Sequence, residues 1–119
     1  MSWNHRAVLR SVITELGARL DVQDGHSLRL ARLVKGQPVR WANCQQVIDR
    51  HRDDMKPYDE TRTAIGSLLW FETGPAGPGN VALYLGHGLA MWQGLGGKAE
   101  RRRVTELPGT LVGTTGEIP

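Results

Sequence analysis

The spacing of apolar residues predicts helices in the first half of the chain. Residues 5–20 (HRAVLRSVITELGARL) place six aliphatic side chains on one side of a helix. Residues 27–35 are too short for periodicity to distinguish a helix from a strand. Within residues 41–55 (WANCQQVIDRHRDDM), Cys44 and two later aliphatic residues recur at i, i+3 and i+4. This spacing predicts a second helix that begins near Asn43.

After residue 65 the pattern is typical of strands. Short apolar runs bounded by glycine occur at residues 66–72 (GSLLWFE), 80–86 (NVALYLG) and 89–94 (LAMWQG). The last two runs are separated by His-Gly, a pair suited to a tight hairpin turn because glycine accepts positive φ. Residues 101–108 (RRRVTELP) are a further candidate strand.

Helices followed by a small antiparallel sheet predict an α+β architecture. At 119 residues the chain has the size of one domain, which we place at residues 1–107. Residues 108–119 are weakly patterned, so we expect a C-terminal tail that docks on the domain or is partly disordered.

Composition narrows the possible surroundings of the protein. The sequence contains no run of about 18 apolar residues, so no membrane span is predicted. The N-terminus lacks the features of a signal peptide, and we therefore expect synthesis in the cytoplasm. The net charge is only +3, and its densest basic patch is residues 98–103 (KAERRR). That patch suits either an acidic partner or a solvated edge strand. Without interleaved aromatic residues, nucleic-acid binding is not expected.

The single cysteine, Cys44, excludes an internal disulfide and a thiolate metal site. It is either a small buried apolar residue or a reactive thiol. A thiol in the first turn of a helix lies close to the partial positive charge of the helix N-terminus, which favours the thiolate.

Residues 51–54 (HRDD) have atoms that bind metals, but on a helix they are more typical of a solvated face. We therefore expect no metal and no cofactor.

The aromatic residues allow two interpretations. Trp41, Trp70 and Tyr84 are candidates to line a groove for a glycan or a peptide. Large aromatic residues also dominate small cores, so the same three side chains could instead pack the helices onto the sheet.

Three segments resemble the NlpC-type cell-wall peptidases and the related CHAP amidases, which have a papain-like fold. Residues 36–51 (GQPVRWANCQQVIDRH) are similar to the approach and the cysteine-bearing helix of those families. Residues 65–74 (IGSLLWFETG) are similar to their first core strand, and residues 79–92 (GNVALYLGHGLAMW) to their next hairpin. The resemblance covers about half of the chain and implies a compact papain-like domain with the cysteine helix packed on the sheet.

The resemblance also implies the positions of a catalytic site. Cys44 matches the nucleophile, Asn80 falls where the family has its histidine base, and the orienting position falls near Trp92. A cysteine nucleophile needs a base within about 3 Å. Asparagine cannot exchange a proton near neutral pH, and an indole offers only a donor. Two of the three positions therefore have the wrong chemistry for hydrolysis.

The other histidines do not replace this base readily. His87 lies at the far end of the hairpin strand and suits a turn. His51 is two helical turns beyond Cys44, about 10 Å along the axis. The positions of His5 and His26 do not follow from the sequence, and a base supplied by His26 would require a rearranged site.

The resemblance thus predicts a catalytically degenerate domain that serves as a structural or binding component. The superfamily occurs in bacteriophage tails and assembly proteins, so a tail or virion is the expected setting and other virion proteins are the expected partners. The alternative is an active peptidase or amidase that cleaves peptidoglycan with Cys44. A third hypothesis is another thiol enzyme of the same fold, such as an acyltransferase.

Overall fold

The helix predicted around Cys44 is present and is short. A computed structural model describes residues 43–93 and 99–119, and in it helix α1 spans Cys44–His51. Asn43 caps the helix, because its extended backbone lets the side-chain oxygen accept the Gln46 N–H at 3.0 Å. The buried residues of α1 are Cys44, Val47 and Ile48, as the spacing predicted. A 3-10 turn, Arg52–Asp54, follows directly.

The described residues form one antiparallel sheet of five strands in the order β4-β3-β2-β1-β5. Strands β1, β2 and β3 coincide with the three predicted apolar runs. The strands span Leu68–Glu72 (β1), Asn80–Gly86 (β2), Leu89–Gln93 (β3), Ala99–Arg103 (β4) and Thr110–Thr115 (β5). One helix with an antiparallel sheet is an α+β arrangement, as predicted.

The predicted hairpin turn at His87-Gly88 joins β2 to β3. Both residues have positive φ, 54° and 75°, as a tight two-residue turn requires. The Tyr84 hydroxyl accepts the Gly88 N–H at 3.0 Å and donates to the Glu60 carbonyl. The turn is therefore fixed both by its own backbone and, through Tyr84, by the segment that contains Glu60 and precedes β1.

Side chains alternate between two faces of the sheet, and each face has its own buried cluster. We call the side under α1 the helix face and the opposite side the far face. The helix face comprises Leu68, Trp70, Val81, Leu83 and Met91, packed with the buried residues of α1 and with Ile118. The far face comprises Leu69, Phe71, Ala82, Tyr84 and Ala90, covered by Val104 and Leu107.

Most of the expected C-terminal tail, from residue 108, packs on the domain and contributes a strand to its sheet. Strand β5 pairs with β1 along its length, and Ile118 is buried in the helix-face cluster. The Trp70 indole N–H also donates to the Thr115 hydroxyl at 2.8 Å. A short strand rich in threonine and glycine gives little hydrophobic pattern in the sequence, although threonine has a high propensity for β-strands.

Within the described part of the chain the basic segment is an edge strand, as one of its two interpretations predicted. Arg101, Arg102 and Arg103 are exposed on β4. The strand ends earlier than residues 101–108 suggested, because a 3-10 helix, Val104–Glu106, follows it.

Three of the sequence predictions lie outside the described residues. They are the helix at 5–20, the segment 27–35 and the position of Trp41. No helix in the part of the chain that is described has the length and apolar character needed to cross a bilayer.

Candidate functional site

The thiol of Cys44 is enclosed by the loop that precedes β2. Cys44 is only 1% exposed. The Gln45 N–H, in the first turn of α1, donates to the Pro78 carbonyl at 2.8 Å. A Cβ added to Gly79, whose φ is +75°, would lie 3.1 Å from the Cys44 Cβ and 2.8 Å from the Gln45 nitrogen. Only a residue without a side chain fits here, so the loop backbone closes over the start of the helix.

Asn80, the position that matches the family's base, lies on the other side of the sheet. In the register of β1 and β2 it is opposite Phe71, which belongs to the far face. Directly opposed residues of antiparallel strands share a face. The Asn80 amide accordingly donates to the Pro108 carbonyl at 3.3 Å. Cys44 packs in the helix face, so the structure does not bring these two side chains together.

Trp92, at the orienting position, is also on the far face. It is half-buried against the far-face cluster and lies opposite Glu100 of β4. Its indole N–H is buried and has no hydrogen-bond acceptor among the described residues. The backbone of the sheet therefore separates Cys44 from both of its predicted catalytic partners.

The two histidines in the described ranges are placed away from the start of α1. His51 is the last residue of α1, about 10 Å along the axis from Cys44, and its Nδ1 lies 3.3 Å from an Asp54 carboxylate oxygen. His87 follows β2 at the end opposite Asn80, roughly 20 Å along the strand. His5 and His26 lie outside the residues that the structure describes.

The proposed aromatic groove is not formed by Trp70 and Tyr84. Both side chains are fully buried, at 0% exposure. They also lie on opposite faces, since Trp70 pairs with Val81 on the helix face and Tyr84 belongs to the far face. Trp70 packs under α1, as the alternative interpretation expected, whereas Tyr84 is a core residue on the side of the sheet opposite α1.

A polar network that the sequence did not reveal ties α1 to the end of β1. Arg52 donates to both Glu72 carboxylate oxygens at 2.9 and 2.7 Å, and the Gln45 amide donates to Glu72 at 3.1 Å and to Asp49 at 2.9 Å. The bond from Arg52, followed by that from Gln45, lowers the pKa of Glu72, and the bond to Glu72 raises the pKa of Arg52. Glu72 and Arg52 are far apart in sequence, so spacing gave no signal for this pair.

This network borders an open cavity of about 430 Å³ that also contacts Gly74, Pro75 and Thr110. The side-chain oxygen of Gln45 is buried there without a hydrogen-bond donor among the described residues. No group of three or more His, Cys, Asp or Glu side chains in the described ranges is arranged to hold a metal ion.

The first turn of α1 offers little to a hydrolytic reaction. A tetrahedral intermediate needs N–H donors aimed at its oxygen. The N–H groups of Gln45 and Gln46 are already bonded to Pro78 and Asn43. Among the described residues, Cys44 is thus buried at a helix start where these two N–H donors are already occupied.

No protein-family model matches the sequence, and no curated protein matches it. The resemblance to the NlpC and CHAP families therefore depends on the three sequence segments alone.

Proposed function

We propose that this protein is a non-catalytic domain of the NlpC/CHAP-type, papain-like class that acts as a structural or binding component of a multi-protein assembly. A bacteriophage tail or virion is the assembly to which the resemblance points. In this proposal the chain is made in the cytoplasm and then incorporated into the particle, where other virion proteins are its partners.

The observation that carries the proposal is the separation of Cys44 from Asn80 by the sheet. Thiol catalysis needs a base within hydrogen-bond reach of the sulfur. Asn80 has the wrong chemistry for that role and binds Pro108 on the far face. The close contact of Gly79 with Cys44 adds support, because a substrate carbonyl would have to displace that loop.

The catalytic alternative is tested with purified peptidoglycan sacculi. We expect the full-length protein to release no more soluble muropeptide than its Cys44→Ser variant, which serves as the matched control. We also expect Asn80→His to gain no activity, because the new imidazole would face away from the sulfur. Release that depends on Cys44, or that appears with Asn80→His, would establish the peptidase instead.

The structural role is tested by quantitative mass spectrometry of purified particles of a phage that encodes the chain. We expect the protein at a fixed ratio to the other structural proteins, and we expect that ratio to survive a second gradient purification. Loss of the protein on repurification, or a ratio that varies between preparations, would contradict incorporation.

A further inference from the structure

The two edges of the sheet differ in how their backbone is covered. At the β5 edge, Lys56 and Thr114 exchange backbone hydrogen bonds of 3.0 and 2.7 Å. A Cβ added to Gly113 of β5 would lie 2.7 Å from the Met55 Cβ, so the chain after α1 lies directly against this edge. At the β4 edge, β3 is the only strand in the described part of the chain that pairs with β4.

The hydrogen-bond pattern identifies which backbone groups of β4 point outward. The Val104 N–H donates to the Gly88 carbonyl at 2.9 Å, which makes residues 88 and 104 a hydrogen-bonded pair. Such pairs alternate along an antiparallel ladder. Arg102 and Glu100, opposite Ala90 and Trp92, therefore point their backbone groups toward β3. The N–H and C=O groups of Arg101 and Arg103 point away from β3, toward the side on which no described strand pairs with β4.

The same alternation divides the charges of β4. Arg102 and Glu100 share the far face, and their side chains form an ion pair at 2.7 Å. Arg101 and Arg103 lie opposite Met91 and Leu89 on the other face. Both are exposed, and neither has an acidic partner among the described residues. The two residues with outward backbone groups thus also carry the uncompensated positive charges.

We propose that β4 is a docking edge for an extended acidic segment of another protein, which adds to the sheet as a sixth strand beside it. Directly opposed residues of paired strands share a face. A segment with acidic residues at alternate positions would therefore place one carboxylate against Arg101 and one against Arg103, while its backbone bonds their N–H and C=O groups. This specifies the partner for the binding role proposed above, and it uses the edge of the described sheet opposite β5.

A second copy of this chain fits the same edge less well than an acidic segment does. Antiparallel pairing of two β4 strands along their full length would place Arg101 opposite its own counterpart, while Glu100 would lie opposite Arg102 of the other copy. One shift by two residues would place Arg101 opposite Arg103 and Arg102 opposite its own counterpart. Like charges directly opposite each other are destabilising. A segment with alternating acidic residues meets Arg101 and Arg103 without such repulsion, so an acidic partner suits this edge better than a second copy.

The test is a fluorescence anisotropy titration of the full-length protein with a dye-labelled peptide in which three glutamates alternate with valines. A peptide of the same composition with contiguous glutamates is the control. We expect the alternating peptide to bind at least about tenfold more tightly, because only it can present all its carboxylates on one face. Equal binding of both peptides, no binding, or preferential binding of single-stranded DNA would overturn the proposal.

Matched variants separate the charges from the backbone. Arg101→Gln/Arg103→Gln should weaken binding at least about tenfold, and Arg102→Gln, whose side chain faces the other side, less than about threefold. Arg101→Pro removes an outward N–H and should bind more weakly than Arg101→Gln, since proline at an outward edge position leaves the bonds to β3 intact. Identical affinities for Arg101→Pro and Arg101→Gln would indicate simple charge attraction and contradict strand addition.

Hydrogen exchange measured by NMR gives an independent readout. On peptide binding, the amides of Arg101 and Arg103 should become protected, whereas those of Arg102 and Val104 should keep the protection they have without peptide. Binding without new protection at the outward amides would overturn the proposal. Peptide binding and muropeptide release are measured separately, so failure of this inference leaves the test of the non-catalytic role unchanged.

Discussion

The helix face and the far face of the sheet are both buried, but they carry different parts of the predicted site. The helix face is closed by α1 and includes Cys44. The far face is closed by Val104 and Leu107 and includes the positions of Asn80 and Trp92. Residues that the resemblance to the NlpC and CHAP families would combine into one site thus lie on opposite faces of the sheet. A motif can preserve the order of residues along the chain without preserving their meeting in space.

The largest difference between the faces should come from their tryptophans. Trp70 is fully buried on the helix face and donates to Thr115, so Trp70→Ala should lower the free energy of unfolding by about 3–5 kcal/mol. Trp92 is half-buried on the far face, and its N–H has no acceptor among the described residues, so Trp92→Ala should cost about 1–2 kcal/mol. Urea denaturation of both variants measures the difference. Equal losses would contradict the asymmetry in burial.

The contact between Gly79 and the start of α1 gives the next largest effect. Gly79→Ala should cost about 2–4 kcal/mol, because positive φ is combined with a Cβ 2.8 Å from the Gln45 nitrogen. Gly74 is the matched control. Its φ is +118°, but an added Cβ meets no atom within 4 Å, so Gly74→Ala should show only the backbone cost of about 1–2 kcal/mol. If the two variants are equally stable, the loop does not press on the helix.

Tyr84→Phe tests the polar anchor of the far face. The hydroxyl connects the Glu60 carbonyl to the Gly88 N–H, and its loss leaves both without this partner at a cost of about 1–2 kcal/mol. The amide of Gly88 should exchange faster in the variant than in the wild type. An unchanged exchange rate at Gly88 would show that the turn does not need the hydroxyl.

The smallest effect concerns pH and the network on the α1 side. Arg52 and Gln45 hold the pKa of Glu72 below its ordinary value of 4.5. The ionised form therefore stabilises the fold above that pH, and the contribution is lost as the pH falls through the lowered pKa. Glu72→Gln should be slightly less stable than the wild type at pH 7, and the difference should shrink below pH 4.5. Thermal unfolding of both proteins at pH 7 and at a pH below 4.5 measures this difference in stability.

Glu106→Gln is the control for that pH series, because Glu106 is exposed and has no ion-pair partner in the described ranges. The change with pH that Glu72→Gln shows beyond that of Glu106→Gln measures the contribution of the Arg52 pair. Equal changes in the two variants would show that this pair does not contribute to folding.

Local patterns in the sequence were enough to predict α1, strands β1 to β3 and the His87-Gly88 turn. In each case the signal is short-range, such as the i, i+3, i+4 spacing after Cys44 or a glycine that permits positive φ. Strand β5 was missed because Thr110–Thr115 has little apolar patterning and is held by pairing with β1.

The geometry of the candidate site could not be predicted, because it depends on register and on which face α1 covers. Trp70 and Tyr84 are both aromatic residues of predicted strands, yet the pairing of Trp70 with Val81 places them on opposite faces. A shift of one residue in that register would reverse the result. The role of Gly79 was also hidden, since a glycine before a strand gives no indication that a helix packs against it.

The proposal that Cys44 is a packed core residue and not a working nucleophile predicts that its thiol is alkylated slowly. The full-length protein is treated with iodoacetamide at pH 6.5, and labelling of Cys44 is followed by intact-mass spectrometry, with the urea-unfolded chain as the reference. We predict labelling at least about a thousandfold slower than in the unfolded chain, limited by opening of the fold. Labelling of the native protein as fast as that of the unfolded chain, or faster, would show an accessible, activated thiolate and contradict the non-catalytic proposal.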